Sequence, residues 1–186
     1  MCVAQWYETN HALMAKQGIT RADVSKAARH DDIKFRNGSL ELLETAGKRG
    51  IPLCVFSAGL GDVIEEVLKH NLSNESESLR VVSNKMVWSA TDLLVGFDND
   101  NLIHMFNKNQ SALSQEDVAH FRRDNRILLG DSIGDVTMLD GDDVLRVGFL
   151  NDHVEEKMER YSEAFDVVIT EDGSMEKVLE LINALE

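Results

Sequence analysis

From Gly38 onward the chain alternates between apolar residues at helical spacing and short runs that are apolar throughout. "SLELLETAGKRG" predicts an amphipathic helix stopped by Gly50, and "IPLCVF" a short strand. "GDVIEEVLKHN" predicts a second helix and "LRVVSN" a second strand. "KMVWSATDLLVGFDNDNLIHMF" predicts a β-hairpin excursion with its polar turn at Asp98 to Asn101. "SQEDVAHFRRD" predicts a helix capped by Ser114, with Asp117 at its third position. Then follow "RILLG" as a strand, "DVTMLD" as a short helix and "VLRVGFL" as a strand. "NDHVEEKMERYSEAF" reads as a helix, "DVVIT" as a strand and "GSMEKVLELINALE" as a terminal helix. Ahead of this series, Met1 to His30 reads as two helices broken at "QGIT", the second starting near Thr20 or Asp23.

Strands that are apolar throughout and separated by helices predict an α/β fold, a Rossmann-like parallel sheet with helices on both faces. Ligands in such sheets bind at the carboxyl ends of the strands. Those ends read "SAGLGD", "SNKM", "GDSIGD", "LNDH" and "TEDGS", and the first and third stand out.

A length of 186 residues fits one domain, or one domain with a small appendage. The net charge of -14, from 19 basic and 33 acidic residues, argues against nucleic acid or an anionic membrane as a general partner. A small anionic substrate stays possible, because a metal ion or a few local donors reverse the field within one pocket. Cys2 and Cys54 lie far apart and read as reduced thiols. No apolar run approaches the roughly 18 residues of a membrane span, and "MCVAQWYETNH" lacks signal-peptide form. The expectation is a soluble, cytoplasmic protein.

Three places carry candidate chemistry. Asp131 and Asp135, in "ILLGDSIGD", sit at i and i+4 where a strand gives way to a helix. Two hard oxygen ligands sharing a site with water suit Mg²⁺; the plainer alternative is a helix cap at Asp131 and a solvated Asp135. In "VFSAGLGDV", Ser57 ends a strand, and Gly59 and Gly61 free the backbone to turn its N–H groups toward a phosphate at a helix N-terminus. An ordinary tight turn is the alternative. A dinucleotide fingerprint is the other, although Ile64 stands where a small third residue belongs. Lys108, in "FNKNQ", follows an apolar-rich strand after the hairpin and is the type of residue that stabilises phosphate charge.

Serine after one strand, then lysine, then GDxxGD after the next resembles the order of motifs in the haloacid-dehalogenase-like (HAD) phosphatases. The resemblance is closer to one branch, the cytosolic pyrimidine 5′-nucleotidases: cytosolic nucleotidase III and relatives that act on 7-methylguanosine monophosphate. The carrying stretches are "QWYETNH", "IPLCVFSAGLGDVIEEVL", "VVSNKM", "LIHMFNKN", "ILLGDSIGD", "VGFLNDHVEE" and "YSEAFDVVI", from Gln5 to Ile169. The resemblance implies Mg²⁺-dependent hydrolysis of a nucleoside 5′-monophosphate to nucleoside and phosphate, in a cleft between sheet and helical cap. Phosphoryl transfer to another nucleoside is a second activity it allows. It implies that Ser57, Ala58 and Gly59 hold the phosphate, that Lys108 neutralises it, and that Asp131 binds Mg²⁺ with support from Asp135. It also implies that Asn10 approaches the nucleoside, although serine is the residue expected there. Residues 1–35 would be part of a helical cap, residues 36–186 the HAD-like core, and the protein a monomer.

The family reacts through an aspartate in a D-x-D-x-T/V motif at the end of its first core strand, the first carboxylate attacking phosphorus and the second serving the leaving oxygen. The sequence holds one literal D-x-D in a strand-like context, and it does not complete the motif. Asp98-Asn99-Asp100 lies in the expected hairpin turn with Leu102 where Thr or Val belongs, and "DGDD" (Asp140 to Asp143) follows a helix. The nucleophile strand would be central, and its loss leaves apolar strand edges whose unpaired groups cost roughly 1–3 kcal/mol each when buried. The expectation is therefore a nucleotidase-family chain that does not turn over by itself, either part of a longer product or completed by a partner. A non-catalytic nucleotide-binding or regulatory remnant is the alternative.

Overall fold

The computed structural model of the chain describes residues 2–74, 76–98 and 100–184. In chain order the elements are α1 (Val3–Ala15), α2 (Arg21–Ala27), α3 (Ser39–Lys48), β1 (Leu53–Leu60), α4 (Gly61–Asn71), β2 (Leu79–Asn84), β3 (Met86–Trp88) and β4 (Leu94–Phe97). There follow α5 (Gln115–Phe121), β5 (Arg126–Gly130), β6 (Val144–Leu150), α6 (Val154–Ala164), β7 (Val167–Thr170) and α7 (Glu176–Ala184). Short 3₁₀-helices occupy Gln110–Ala112 and Ile133–Met138. The chain forms two compact units: Met1–Lys34 with Leu53–Asn107, and Phe35–Pro52 with Lys108–Glu186. No helix among the described residues is long and apolar enough to cross a membrane.

In the second unit, β5, β6 and β7 form a parallel sheet in that order, with Gly130 level with Gly148 and Leu150 with Thr170. Side chains alternate across this sheet with a period of two. Ile127, Leu129, Leu145, Val147, Phe149 and Ile169 pack with Leu42 of α3 and with Val178, Leu179 and Ile182 of α7. Leu128, Val144, Leu150 and Val168 pack with Tyr161 and Phe165 of α6. Fully burying one such side chain is worth about 1.5–3 kcal/mol, and burial on both faces is why these strands read as apolar throughout.

In the first unit, β1 and β2 pair in parallel across the α4 crossover, and β3 and β4 form an antiparallel hairpin. Val24 of α2, Met86, Leu94 and Phe97 make the core there, with Met14, Ile19, Leu60, Val63 and Trp88 packed against them. Asp62, in the first turn of α4, ties the hairpin down by accepting the Met86 N–H at 2.8 Å and the Trp88 indole N–H at 2.7 Å. The parallel strands thus fall into two hydrogen-bonded groups. Among the described residues β1 pairs with β2 alone and β5 with β6 alone.

The hairpin is present, but its turn is at Ser89 to Asp92 and not at Asp98 to Asn101. The Ser89 hydroxyl accepts the N–H groups of Thr91 and Leu93 at 3.2 and 3.0 Å. Asp92 takes a left-handed φ of 58°, a conformation aspartate tolerates. Asp98 organises a separate polar turn after β4, accepting the Asp100 N–H at 3.2 Å; Asn99, the centre of the D-x-D considered above, lies outside the described residues. The apolar run before Lys108 is not a strand either. The Asn107 side chain accepts the His104 N–H at 2.6 Å and donates to the Leu102 carbonyl at 2.8 Å, so a side-chain amide replaces strand partners. "DVTMLD" belongs to a 3₁₀-helix that begins earlier, at Ile133, because Ser132 and Asp135 form a capping box. The terminal helix is described as far as Ala184, and Leu185 and Glu186 lie outside the described residues.

The start of α2 falls where Thr20 and Asp23 place it. Thr20 Oγ accepts the Asp23 N–H at 3.1 Å, and the Asp23 carboxylate accepts the Thr20 N–H at 2.9 Å. The Thr20 hydroxyl, and then its N–H, hold the Asp23 carboxyl below its ordinary value of 3.8. A depressed folded value stabilises the fold above pH 3.8, a contribution lost as pH falls through the lower folded value. Thr20→Ala is expected to cost about 1 kcal/mol in urea unfolding at neutral pH. That deficit should narrow below pH 3.8; a deficit independent of pH would detach the cap from Asp23.

Candidate active site

In the second unit the site forms where β5 ends. Gly130 closes the strand, Asp131 and Ser132 turn, and Asp135 enters the 3₁₀-helix. Asp135 is buried, at 6% exposure. Its Oδ2 accepts the N–H groups of Asp131 and Ser132, each at 3.1 Å. Its Oδ1 lies 2.7 Å from Lys108 Nζ, an ion pair with side-chain exposures of only 19% and 9%. Both carboxylate oxygens are thus committed to holding the loop and the lysine. Gly130 is required by this geometry, since a Cβ there would stand 2.6 Å from the Asp135 Cβ.

Asp131 is the complement of Asp135. It is exposed, and among the described residues no group hydrogen-bonds its carboxylate. Its backbone carbonyl accepts the Tyr161 hydroxyl at 2.8 Å, so α6 fixes its main chain while the side chain stays free. Burial raises the Tyr161 phenol above its ordinary value, and the charges of Asp131 and Asp135 add to the effect. The phenol therefore remains a donor across the physiological range. One free carboxylate at a strand mouth, beside a committed one, fits a cation such as Mg²⁺, which takes one or two carboxylates and fills its remaining positions with water and substrate oxygens. Among the described residues no group of three or more His, Cys, Asp or Glu is arranged to hold a metal by itself.

In the first unit, β1 continues through Ser57, Ala58 and Gly59 to Leu60. Pairing is regular from Leu53 to Phe56, opposite Val82, and resumes at Leu60 opposite Asn84. Between those pairs β1 carries three residues and β2 only Ser83, so Ser57 to Gly59 bulge from the ladder. Ser57 Oγ accepts the Gly59 N–H at 3.0 Å. That N–H is therefore spent within the bulge, and the Ser57 O–H is left as the donor. Neither Gly59 nor Gly61 has a positive φ. Gly61 serves close packing instead: a Cβ there would stand 2.8 Å from Ser83 Oγ.

Asn84 is a residue that sequence reasoning passed over, although "SNKM" ends a strand. It is 1% exposed, and its amide donates to the carbonyls of Ala58 and Ile103, both at 2.9 Å. Its signal in the sequence was a polar residue closing an apolar strand. Asn10 lies half-buried on α1, with its amide donating to the Trp6 carbonyl at 2.7 Å. Beside it, His11 stacks on Phe97 at 3.9 Å, and Tyr7 lies 5.1 Å from Trp6 and 6.3 Å from His104.

Comparison with known proteins bears on this geometry. A family model described as pyrimidine 5′-nucleotidase (UMPH-1) matches residues 1–186. A 7-methylguanosine phosphate-specific 5′-nucleotidase of Gallus gallus is 38% identical over 184 residues, covering 95% of this chain and 62% of that protein. Its Homo sapiens counterpart is 36% identical, with 95% and 60% covered. A crystal structure of cytosolic 5′-nucleotidase IIIB bound to cytidine superposes with a TM-score of 0.81 at 32% identity, covering 96% of this chain and 61% of that one. A HAD family hydrolase of Salmonella enterica shares the fold, with a TM-score of 0.69 at 16% identity. The chain spans about 60% of the length of the curated relatives it matches.

The two aspartates should separate in stability measurements. Asp135→Leu strands Lys108 and two backbone N–H groups, and is expected to cost roughly 3–5 kcal/mol or to unfold the chain. Asp131→Asn, at an exposed carboxylate with no partner among the described residues, is expected to stay within about 0.5 kcal/mol of the parent. Urea unfolding of both variants checks this, and equal costs would contradict the assignment of Asp135 as the anchor.

Proposed function

Since the chain belongs to the pyrimidine 5′-nucleotidase (UMPH-1) family, we propose that it provides the phosphate- and metal-binding residues of an enzyme hydrolysing nucleoside 5′-monophosphates. The observation that carries the proposal is the division of labour at the end of β5: a buried Asp135 paired with Lys108, beside an exposed Asp131 whose carboxylate no group engages among the described residues.

Each residue has a defined task. Asp131 offers its carboxylate to Mg²⁺, which when bound supplies positive charge against the phosphate. Asp135 sets the position of Asp131 through the loop N–H groups and of Lys108 through the ion pair. Lys108 offsets negative charge on the transferring phosphoryl group. Ser57, whose oxygen already accepts the Gly59 N–H, donates its hydroxyl proton to a phosphate oxygen, with Ala58 and Gly59 completing the bulge. The rings of Trp6, Tyr7 and His104 offer stacking faces for a base, and Asn10 lies on the same helix. A pyrimidine or a 7-methylguanine base fits this chemistry equally, and the cytosol is the setting in which such nucleotides are met.

The attacking carboxylate is not among these residues, and we assign it to a segment outside the 186. The strand edges that β1 and β5 keep without partners among the described residues support that assignment. The isolated chain is expected to bind Mg²⁺ and cytidine or 7-methylguanosine monophosphate, as measured by calorimetry, but to release no phosphate. Asp131→Asn should remove the Mg²⁺ dependence of that binding. Turnover by the isolated chain that disappears in Asp131→Asn would overturn the assignment of the nucleophile. A folded chain with no Mg²⁺-dependent binding would overturn the site itself.

A further inference from the structure

The bulge at Ser57 to Gly59 raises an accounting problem. Where β1 leaves the ladder, its backbone groups lose their partners on β2 and must find others, because a buried unpaired carbonyl is costly. Ser57 solves part of this locally by accepting the Gly59 N–H at 3.0 Å. The Ala58 carbonyl is taken from outside the bulge, by the Asn84 amide at 2.9 Å. The same amide donates to the Ile103 carbonyl at 2.9 Å and accepts the Ile103 N–H at 2.8 Å. Both of its N–H donors and one acceptor position are thereby used. Asn84 is 1% exposed and Ile103 2% exposed, so the bonds between them have no water to replace them.

We infer that Asn84 is a positioning residue for phosphate recognition: it holds the Ser57–Gly59 bulge in the conformation in which Ser57 Oγ accepts the Gly59 N–H and keeps its own proton to donate. It touches no substrate and acts through Ala58. Aspartate in its place would keep the shape and the acceptor for the Ile103 N–H but lose the paired amide donors. Serine would be too short to reach both carbonyls. The assignment rests on Ser57 being a phosphate ligand, as proposed above, and the two can be tested apart.

The test is a double-mutant cycle on the 186-residue chain, read by calorimetry with inorganic phosphate in the presence of Mg²⁺. Ser57→Ala and Asn84→Ser are each expected to weaken phosphate binding roughly tenfold. In the Ser57→Ala background, Asn84→Ser should weaken it little further, because both act through one hydroxyl. A general loss of stability would instead leave the two effects additive, and additivity overturns the inference. Full phosphate affinity in both Asn84→Asp and Asn84→Ser overturns it too. No effect of Ser57→Ala would dismiss the phosphate reading of Ser57 itself. Amide hydrogen exchange gives a readout that needs no ligand. In Asn84→Asp the Gly59 N–H should lose protection while the Leu53–Phe56 ladder keeps it, and unchanged protection at Gly59 overturns the inference.

Discussion

The carboxylate of Asp135 is the constraint on which the rest of the candidate site depends. It is buried and accepts two successive backbone N–H groups on one oxygen, while the other oxygen meets the ammonium of Lys108. A buried charge persists when its partners are arranged around it, and removing one partner leaves several kcal/mol uncompensated. That demand bends the chain at Asp131, starts the 3₁₀-helix at Ile133 and excludes a side chain at Gly130. The exposed carboxylate of Asp131 is the product: a second acid placed at the strand mouth with no ion-pair partner among the described residues.

The first unit applies the same logic with neutral groups. Where the parallel ladder lapses at Ser57 to Gly59, a hydroxyl and a buried amide replace the missing strand bonds. The Asn107 side chain does likewise at His104 and Leu102. Polar side chains that substitute for a ladder fix irregular backbone as firmly as a strand would, while leaving it free of the sheet's flat geometry. Loops at the carboxyl ends of parallel strands need both properties to present donors to a small anion. A net charge of -14 does not oppose that, because a few donors fix the field locally, whatever the sum over the chain.

Apart from the run before Lys108, the sequence by itself determined the succession of helices and strands, because burial on both faces of a parallel sheet forces apolar runs that helical spacing cannot imitate. It determined the start of α2 and α5, since Thr20 with Asp23 and Ser114 with Asp117 are local capping pairs. It marked Ser57, Asp131 and Asp135 as candidate chemistry, because motif spacing along a strand–turn–helix is also local, and Lys108 by its place in the order of motifs. The tertiary structure alone decided how each candidate is placed, which is why the two aspartates, alike in sequence, divide into a buried anchor and an exposed carboxylate. It alone moved the hairpin turn to Ser89–Asp92, since two polar stretches compete there and the packing of Leu94 and Phe97 against Val24 and Met86 selects between them. And it alone exposed Asn84, whose partners at Ala58 and Ile103 lie 26 and 19 residues away, beyond the reach of any local pattern.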